Sequence, residues 1–323
     1  MRRARKMVLA IVLLVVAAGV TIFLWFDHDM RVAREAVAHS QMAQTSVGPI
    51  EYADAGAGTP VLSIHGAGGG FDQGLTFAAD LLGTGYRVVA PSRFGYLRSP
   101  VPADPSPGAQ AEAHIALLDK LGIDRAIVIG VSAGARSAIE LAVRHPERVR
   151  ALLLIVPGTY APDIPPIETT RGADFPLVLW LLQAGADFGW WAMEHLSPST
   201  LVRFVGVPPD LLATLPAADR EQVYALIRSV EPVSSRYAGI TVDSAPNLTP
   251  LPLDKITAPT FIATARDDLF STLKPAEYAA AHILGAKLVV YDTGGHILVG
   301  HGEEMARLVE EFLAKAGVAT AAF

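Results

Sequence analysis

Short apolar runs alternate with stretches of helical periodicity along most of the chain. Six of these runs are apolar on both faces, at residues 60–64, 86–90, 126–130, 151–156, 260–264 and 287–291. Such runs are typical of strands in a parallel sheet that helices cover on both sides. Helical periodicity between the runs predicts helices over residues 109–121, 133–144, 275–281 and 303–314. The order predicts an α/β fold with a mostly parallel, doubly wound sheet.

The alternation stops between residues 161 and 250. This segment contains no clear buried strand, but it has prolines, aromatic residues and helical patches at 175–182 and 219–230. We expect it to form a helical cap, inserted over the edge of the sheet where open α/β sheets bind ligands. The α/β core then comprises residues 47–160 and 251–323, with an antiparallel edge strand at 47–53.

The N-terminal segment is uncharged over the twenty residues 7–26. A helix of about 20 residues spans the ~30 Å hydrocarbon core of a bilayer, so the segment predicts an uncleaved transmembrane anchor. The basic tail, residues 1–6, is expected to stay in the cytoplasm and the body to lie outside it. A cleaved signal peptide, which would give a secreted protein, is the alternative, although the run ends in bulky Leu24-Trp25-Phe26. Residues 27–46 are expected to form a partly helical stalk.

Composition narrows the function classes. The net charge is −6 and the tail contributes four positive charges, so the remainder carries −10. An acidic body without a basic stripe argues against nucleic-acid binding. The chain has no cysteine, which excludes disulfides and cysteine-ligated metals. It also has no HExxH motif, and we predict neither a metal nor a cofactor.

A serine stands between two glycines directly after the apolar run at 126–130. The sequence Gly130-Val131-Ser132-Ala133-Gly134 joins a predicted strand to a predicted helix. This is the context of a nucleophile elbow, a strained turn that exposes a serine hydroxyl at the top of a sheet. Such a hydroxyl needs a base, an acid that orients the base, and donors for an oxyanion.

Candidates for the base and the acid follow two later strands. His296 ends the sequence GGH after the run at 287–291, with His301 as an alternative base. Asp268 ends the sequence ARDD after the run at 260–264, with Asp267 as an alternative acid. Because the carboxyl ends of parallel strands meet at one edge of the sheet, we expect these side chains to converge on Ser132.

Two backbone amides are predicted to bind the oxyanion. One is the amide of Ala133, which directly follows the serine. The other is the amide of Ala67, with Gly68 as the alternative, in the glycine-rich sequence HGAGGG at 65–70. Glycines let backbone amides approach a substrate closely. His65, at the start of this loop, is expected to have a structural role.

Together the motifs HGAGGG, GVSAG, ARDD and GGH resemble the α/β-hydrolase family, in its serine-hydrolase branch. They occur in the family's order, within residues 47–315. The resemblance implies the α/β-hydrolase fold, with Ser132 as nucleophile, Asp268 as orienting acid and His296 as general base. Serine rather than aspartate at the elbow argues against the dehalogenases and epoxide hydrolases that resemble it.

The sequence therefore predicts a membrane-anchored serine hydrolase that cleaves an ester or a related acyl compound. Its partners would be a small-molecule acyl substrate and the membrane that residues 7–26 cross. Lipase, perhydrolase and C–C hydrolase chemistry are alternatives that use the same triad. A non-catalytic binding protein with the same fold is the alternative from another class.

Overall fold

An eight-stranded sheet forms the centre of the protein, described from a computed structural model that covers residues 2–164, 175–244 and 248–318. The strands lie in the order β1-β2-β4-β3-β5-β6-β7-β8. They are β1 (Gln41–Thr45), β2 (Gly48–Gly56), β3 (Thr59–Ile64), β4 (Tyr86–Pro91), β5 (Ala126–Val131), β6 (Val149–Ile155), β7 (Thr260–Ala265) and β8 (Lys287–Tyr291). Strands β3 to β8 run parallel. The predicted doubly wound α/β sheet is confirmed, because the six apolar runs correspond to β3–β8.

The α-helices of the described residues are numbered in chain order. They are α1 (Arg2–Ala36), α2 (Phe71–Leu81), α3 (Pro107–Lys120), α4 (Gly134–Arg144), α5 (Phe175–Gln183), α6 (Asp187–Leu196), α7 (Pro198–Phe204), α8 (Pro209–Thr214), α9 (Ala217–Arg228), α10 (Tyr237–Ser244), α11 (Leu273–His282) and α12 (Gly302–Lys315). Helices α3, α4 and α11 pack on one face, and α2 and α12 on the other. In α12 the buried side chains of Met305, Val309 and Leu313 recur every fourth residue, which directs one stripe of the helix to the sheet.

Among the described residues between β6 and β7, where the sequence predicts a cap, there are six α-helices, α5 to α10. Their apolar side chains form a cluster of their own around Trp190, Leu201 and Ile227. Tyr96 and Val299, which follow strands of the sheet, join this cluster and so seat the helices over the strand ends. Residues 165–174 and 245–247 of the predicted cap lie outside the described residues.

Helix α1 is long and apolar enough to cross a membrane. None of its most apolar stretch is buried, and its side chains from Met7 to Trp25 include many exposed large hydrophobic ones. Soluble proteins seldom expose an apolar surface of this extent. The helix continues past residue 26 to Ala36, and Met30 in this second part is buried.

The prediction of a stalk at residues 27–46 is wrong for its last part. Gln41–Thr45 forms β1, which pairs antiparallel with β2, so the sheet begins before residue 47 and β2 is not its edge. The short sequence QMAQT buries only the Ala43 side chain, as befits an edge strand with little apolar contact. Its pairing is strengthened by the Ser40 hydroxyl, which donates to Glu51 at 2.5 Å.

We predict that removing β1 destabilises the body of the protein. A chain starting at Val47 would leave residues 48–52 of β2 without their β1 partners and Glu51 without Ser40, unlike a chain starting at Ala38. We expect the shorter chain to lose about 2 kcal/mol or more of unfolding free energy, measured by urea denaturation. Equal stability of the two chains would contradict this assignment of β1 to the sheet.

Candidate active site

Ser132 occupies the turn between β5 and α4. Its φ of 51° lies in the left-handed region, which residues other than glycine adopt at an energetic cost. Hydrogen bonds fix the turn: the Ser132 amide donates to Ile155 O at 2.9 Å, and its carbonyl accepts from the Gly158 amide at 3.0 Å. A Cβ at Gly130 would lie only 2.6 Å from Ala138 Cβ, so the glycine lets α4 pack closely on β5. The local fold thus holds the serine in one strained position.

A line of hydrogen bonds runs from Ser132 through His296 to Asp268. Ser132 Oγ lies 2.8 Å from His296 Nε2, and His296 Nδ1 lies 2.9 Å from Asp268 Oδ2. Because a carboxylate only accepts, Nδ1 carries the imidazole proton and Nε2 accepts from the serine hydroxyl. The Asp268 side chain is fully buried, and that of His296 is 11% exposed. The structure therefore brings together the three side chains that the sequence singled out.

Two further donors orient the Asp268 carboxylate. The Phe270 amide donates to Oδ1 at 2.8 Å, and the Thr272 hydroxyl donates to Oδ2. The Thr272 hydroxyl also lies 2.9 Å from the Thr264 hydroxyl at the end of β7. Thr272 thereby connects the Asp268 carboxylate to β7 through hydrogen bonds.

The two alternative residues have other partners. Asp267 accepts from the two glycine amides that precede His296, at 3.2 and 2.8 Å, and so it orders that turn. His301 lies 3.0 Å from the Thr293 carbonyl, and its ring stacks on Tyr291 at 3.9 Å between centroids. In the described part of the chain, neither residue is hydrogen-bonded to the serine.

The glycine-rich loop after β3 passes close to Ser132. A Cβ at Gly66 would lie 3.1 Å from Ser132 Cβ. Ala67 is exposed although its neighbours in the loop are buried, and the Gly68 amide donates to a tyrosine hydroxyl at 3.3 Å. Among the described residues, no protein group accepts from the Ala67 or Ala133 amide. The amides of Ala67 and Ala133, the two predicted oxyanion donors, thus have no acceptor among the described residues, whereas the Gly68 amide already donates to the tyrosine hydroxyl.

His65 connects the glycine-rich loop to the loop after β4. The Arg93 amide donates to His65 Nε2 at 2.9 Å, so the ring proton is on Nδ1 and reaches the Gly66 carbonyl at 2.7 Å. Burial, together with the nearby Arg93 charge, holds the pKa of His65 well below 6.5. The ring is neutral at physiological pH and braces the loop.

A buried ion pair connects the cap to these loops. Asp243 on α10 accepts from both terminal nitrogens of Arg93, at 2.6 and 3.0 Å, and from Tyr96 Oη at 2.5 Å. Arg136 on α4 lies 3.9 Å from the same carboxylate. The cap, the loop after β4 and the helix that follows Ser132 therefore share one charged cluster. No motif in the sequence pointed to Asp243, because its partners lie far away in the chain.

A cap glycine holds the loops that carry His296 and Asp268. The Gly206 carbonyl accepts from the His296 amide at 3.1 Å and from the Leu269 amide at 3.3 Å. Gly206 has φ +80°, and a Cβ there would lie 2.5 Å from His296 Cβ and collide with the Phe270 ring. That ring stacks on the imidazole at 4.2 Å between centroids. The position of the cap is therefore coupled to the position of the imidazole.

Described residues at this end of the sheet line a smaller and a larger cleft. The smaller one, about 260 Å³, is lined by His296 but not by Ser132 or Asp268. Most of its other lining side chains are apolar, including Phe77, Leu81, Val131, Val156, Leu226 and Met305. A larger cleft of about 620 Å³ lies between α3, α4 and α10, and none of Ser132, His296 and Asp268 lines it. Within the described ranges, no group of three or more His, Asp or Glu side chains could hold a metal ion.

We predict that Gly206→Ala displaces the His296 imidazole from Ser132 and so slows the reaction of the serine, without unfolding the protein. The new methyl would push His296 away from Ser132, and displacements of about 1 Å can cost roughly 100-fold in rate. The measurement is the rate at which a fluorophosphonate labels Ser132, with the downfield NMR resonance of the His296 Nδ1 proton as a second readout.

Gly185→Ala is the matched control for this substitution. Gly185 is also a cap glycine with positive φ, +62°, but its Cβ would meet its nearest neighbours at an ordinary 3.4 Å. We expect it to keep the labelling rate and the proton resonance. Equal behaviour of the two variants would show that Gly206 does not position the imidazole.

We also predict an acid-dependent loss of stability that Asp243 controls. Burial alone would raise the pKa of Asp243, but the Arg93 charge and hydrogen bonds outweigh it and lower the pKa below 3.8. A lowered folded-state pKa gives stability above the unfolded value that is lost as pH falls through the folded one. Asp243→Asn should lower the unfolding free energy by about 3–5 kcal/mol at pH 7. It should also weaken the dependence of the unfolding free energy on pH below about pH 4. Urea denaturation across pH 3–7 measures both, and an unchanged profile would contradict the role of this carboxylate.

Known proteins share this architecture. The family model for the α/β hydrolase fold matches residues 59–302. The chain is 31% identical over 278 residues to the 2-hydroxymuconate semialdehyde hydrolase of Pseudomonas putida, an alignment that covers 81% of this chain and 90% of that protein.

Two solved structures extend the comparison. An α/β hydrolase fold protein from Nakamurella multipartita has a TM-score of 0.66 and 29% identity, and covers 86% of this chain and 99% of its own. A membrane phospholipase A, described as a bacterial virulence factor, has a TM-score of 0.66 and 27% identity, and covers 98% of this chain and 99% of its own. From the matching family model and the Pseudomonas relative, the chain belongs to the α/β-hydrolase fold family.

Proposed function

We propose that the protein is a membrane-anchored serine hydrolase that cleaves carboxylic esters. The observation that carries this proposal is the hydrogen-bonded line from Ser132 through His296 to Asp268, at 2.8 and 2.9 Å. It supplies a nucleophile, a general base and an orienting acid in the geometry that acyl transfer requires. The names of the relatives, which are hydrolases, support the reaction class.

The reaction would proceed through an acyl-enzyme. Ser132 Oγ attacks the ester carbonyl carbon while His296 Nε2 takes the hydroxyl proton, and Asp268 stabilises the resulting imidazolium. The amides of Ala67 and Ala133 stabilise the oxyanion of the tetrahedral intermediate. The intermediate collapses, and the departing alkoxide takes the proton from His296. Water, deprotonated by His296, then attacks the acyl group, which leaves as the acid while the serine regains its proton.

Membrane phospholipids are the ester class that we favour as substrate. The alignment with the membrane phospholipase A leaves about six residues of this chain uncovered, so it extends over α1. The exposed apolar surface of α1 supports a membrane anchor, with the basic tail in the cytoplasm and the body on the opposite side. The apolar cleft beside His296 suits an acyl chain.

Hydrolysis of a carbon–carbon bond is the second candidate. It is favoured by the similarity to the 2-hydroxymuconate semialdehyde hydrolase. Such a substrate carries a carboxylate, which a free cationic side chain would bind well. The guanidinium groups of Arg93 and Arg136, which lie near the elbow, both face the Asp243 carboxylate instead. This pairing favours a neutral ester over an anionic semialdehyde.

A substrate panel on the full-length chain in lipid nanodiscs tests the proposal. We expect hydrolysis of phosphatidylcholine and of p-nitrophenyl esters to exceed hydrolysis of 2-hydroxymuconate semialdehyde. Ser132→Ala should lower kcat by about 10⁵–10⁶-fold, because the triad acts as a unit.

The other outcomes each favour a different function. Preferential hydrolysis of the semialdehyde would favour the second candidate. Folded protein that hydrolyses none of these compounds and does not react with a fluorophosphonate would favour a non-catalytic binding protein. Thr241→Ala, at an exposed position of α10 that lines neither cleft, is the control for the serine substitution because the Thr241 hydroxyl bonds only within its own helix.

A further inference from the structure

The cap carries exposed apolar side chains beside the proposed membrane helix. Phe188 and Leu196 on α6 are 52% and 85% exposed, and Leu177 and Trp180 on the adjoining α5 are 57% and 63% exposed. We call these four side chains the cap patch. Helices α5 and α6 pack directly against each other, since a Cβ at Gly189 would lie 2.8 Å from Leu181. Clusters of exposed apolar side chains often mark the sites where a protein binds a partner or a membrane.

Aromatic contacts hold α6 against the end of the membrane helix. The Phe26 ring lies 5.4 Å from Phe188 and 5.6 Å from Trp191, and the Trp25 ring lies 5.1 Å from Trp191. Trp191 also donates from its indole nitrogen to Asp29 Oδ2 at 2.8 Å. The apolar run of α1 and the cap are therefore one continuous packed unit.

These contacts fix the depth of α6 relative to a bilayer. Trp25 and Phe26 end the uncharged run, and Asp27 is the first charge after it, so this point lies at the membrane–water interface. The headgroup layer on each side is about 5–7 Å thick, and a helix is about 10–12 Å across. A helix in contact with Trp25 and Phe26 thus lies within or directly on the headgroups.

Acidic groups around the patch do not oppose contact with lipid. Asp187 at the start of α6 lies 3.9 Å from Arg34, and Glu194 lies 4.0 Å from Arg228. Burial, with the nearby acidic side chains, raises the pKa of Glu231 to about 8, so it is largely protonated at neutral pH. The acidic groups beside the cap patch are therefore engaged by an arginine, a hydrogen bond or a proton: Asp29 accepts from Trp191, and Arg228 is shared between Glu194 and Glu221.

We propose that the cap lies on the bilayer that α1 crosses, with the cap patch inserted among the headgroups and upper acyl chains. The partner is the phospholipid surface itself, and the contact is a second attachment besides the membrane span. This inference rests on the membrane anchor of the proposed function. It adds that the cap, which also holds Gly206 against the His296 loop, is in contact with lipid.

Single-cysteine labelling of the full-length chain tests the inference, because the natural chain has no cysteine. Cysteines replace Phe188 or Leu196 and carry an environment-sensitive fluorophore in phosphatidylcholine nanodiscs. We expect blue-shifted emission and quenching by lipids that carry a nitroxide near the headgroup. Leu284→Cys, at a 93% exposed position in the turn before β8, is the matched control and should stay unquenched.

A further label separates failure of this inference from failure of the anchor. Val16→Cys lies in the middle of the apolar run and reports membrane insertion of α1. If Val16→Cys is quenched by nitroxides in the acyl region while Phe188→Cys and Leu196→Cys behave like Leu284→Cys, the cap contact is overturned and the anchor stands. If the label at Val16→Cys is not quenched, both are overturned.

A charge substitution tests the consequence for activity. Leu196→Glu should lower hydrolysis of phosphatidylcholine in vesicles by roughly tenfold, the effect of losing one buried leucine side chain. It should leave hydrolysis of a short soluble ester and the thermal midpoint unchanged, because Leu196 is 85% exposed in the protein. Equal rates on vesicles for Leu196→Glu and the native chain would contradict the contact.

Discussion

The two hydrogen bonds of the His296 imidazole impose the strictest geometric constraint on the structure. One ring must lie 2.8 Å from a serine on one loop and 2.9 Å from a carboxylate on another. The parallel sheet brings the loops to one edge, but each loop also needs its own support. The elbow holds Ser132 at a strained φ, Asp267 orders the turn before His296, and Gly206 ties the two later loops together. The strained backbone of Ser132 persists because the surrounding packing and hydrogen bonds hold it in place.

The cap is therefore part of the site as well as its cover. It contributes the Gly206 carbonyl to the His296 loop and the Asp243 carboxylate to the Arg93 cluster. A buried ion pair costs desolvation energy that its partners must offset, and such pairs are weak evidence of net stability. We interpret the Arg93–Asp243 pair as a device that fixes how the cap sits on the loops. Through α6 the same cap contacts α1 where its apolar run ends, so α1, the cap and the imidazole form one connected chain of contacts.

Most of the sheet was predictable from the sequence because β3 to β8 are buried on both faces and read as continuous apolar runs. The serine, the histidine and the candidate acids were predictable because each follows a strand. The strand β1 was missed because an edge strand that buries only Ala43 leaves almost no pattern. Asp243 and Gly206 were missed because their partners are far apart in the chain, and only the folded cap brings them together. The sequence favoured Asp268 over Asp267 as the acid, but only the folded structure shows that Asp268 faces the imidazole.

The most direct test of the account is to trap the covalent intermediate during turnover. An ester of a bulky acid is mixed with the native chain, the reaction is quenched with acid, and the peptides are identified by mass spectrometry. The account predicts the mass of the acyl group on Ser132 alone, and no adduct when His296 is replaced by alanine. Turnover with the acyl group on another residue, or an unchanged adduct without His296, would contradict it.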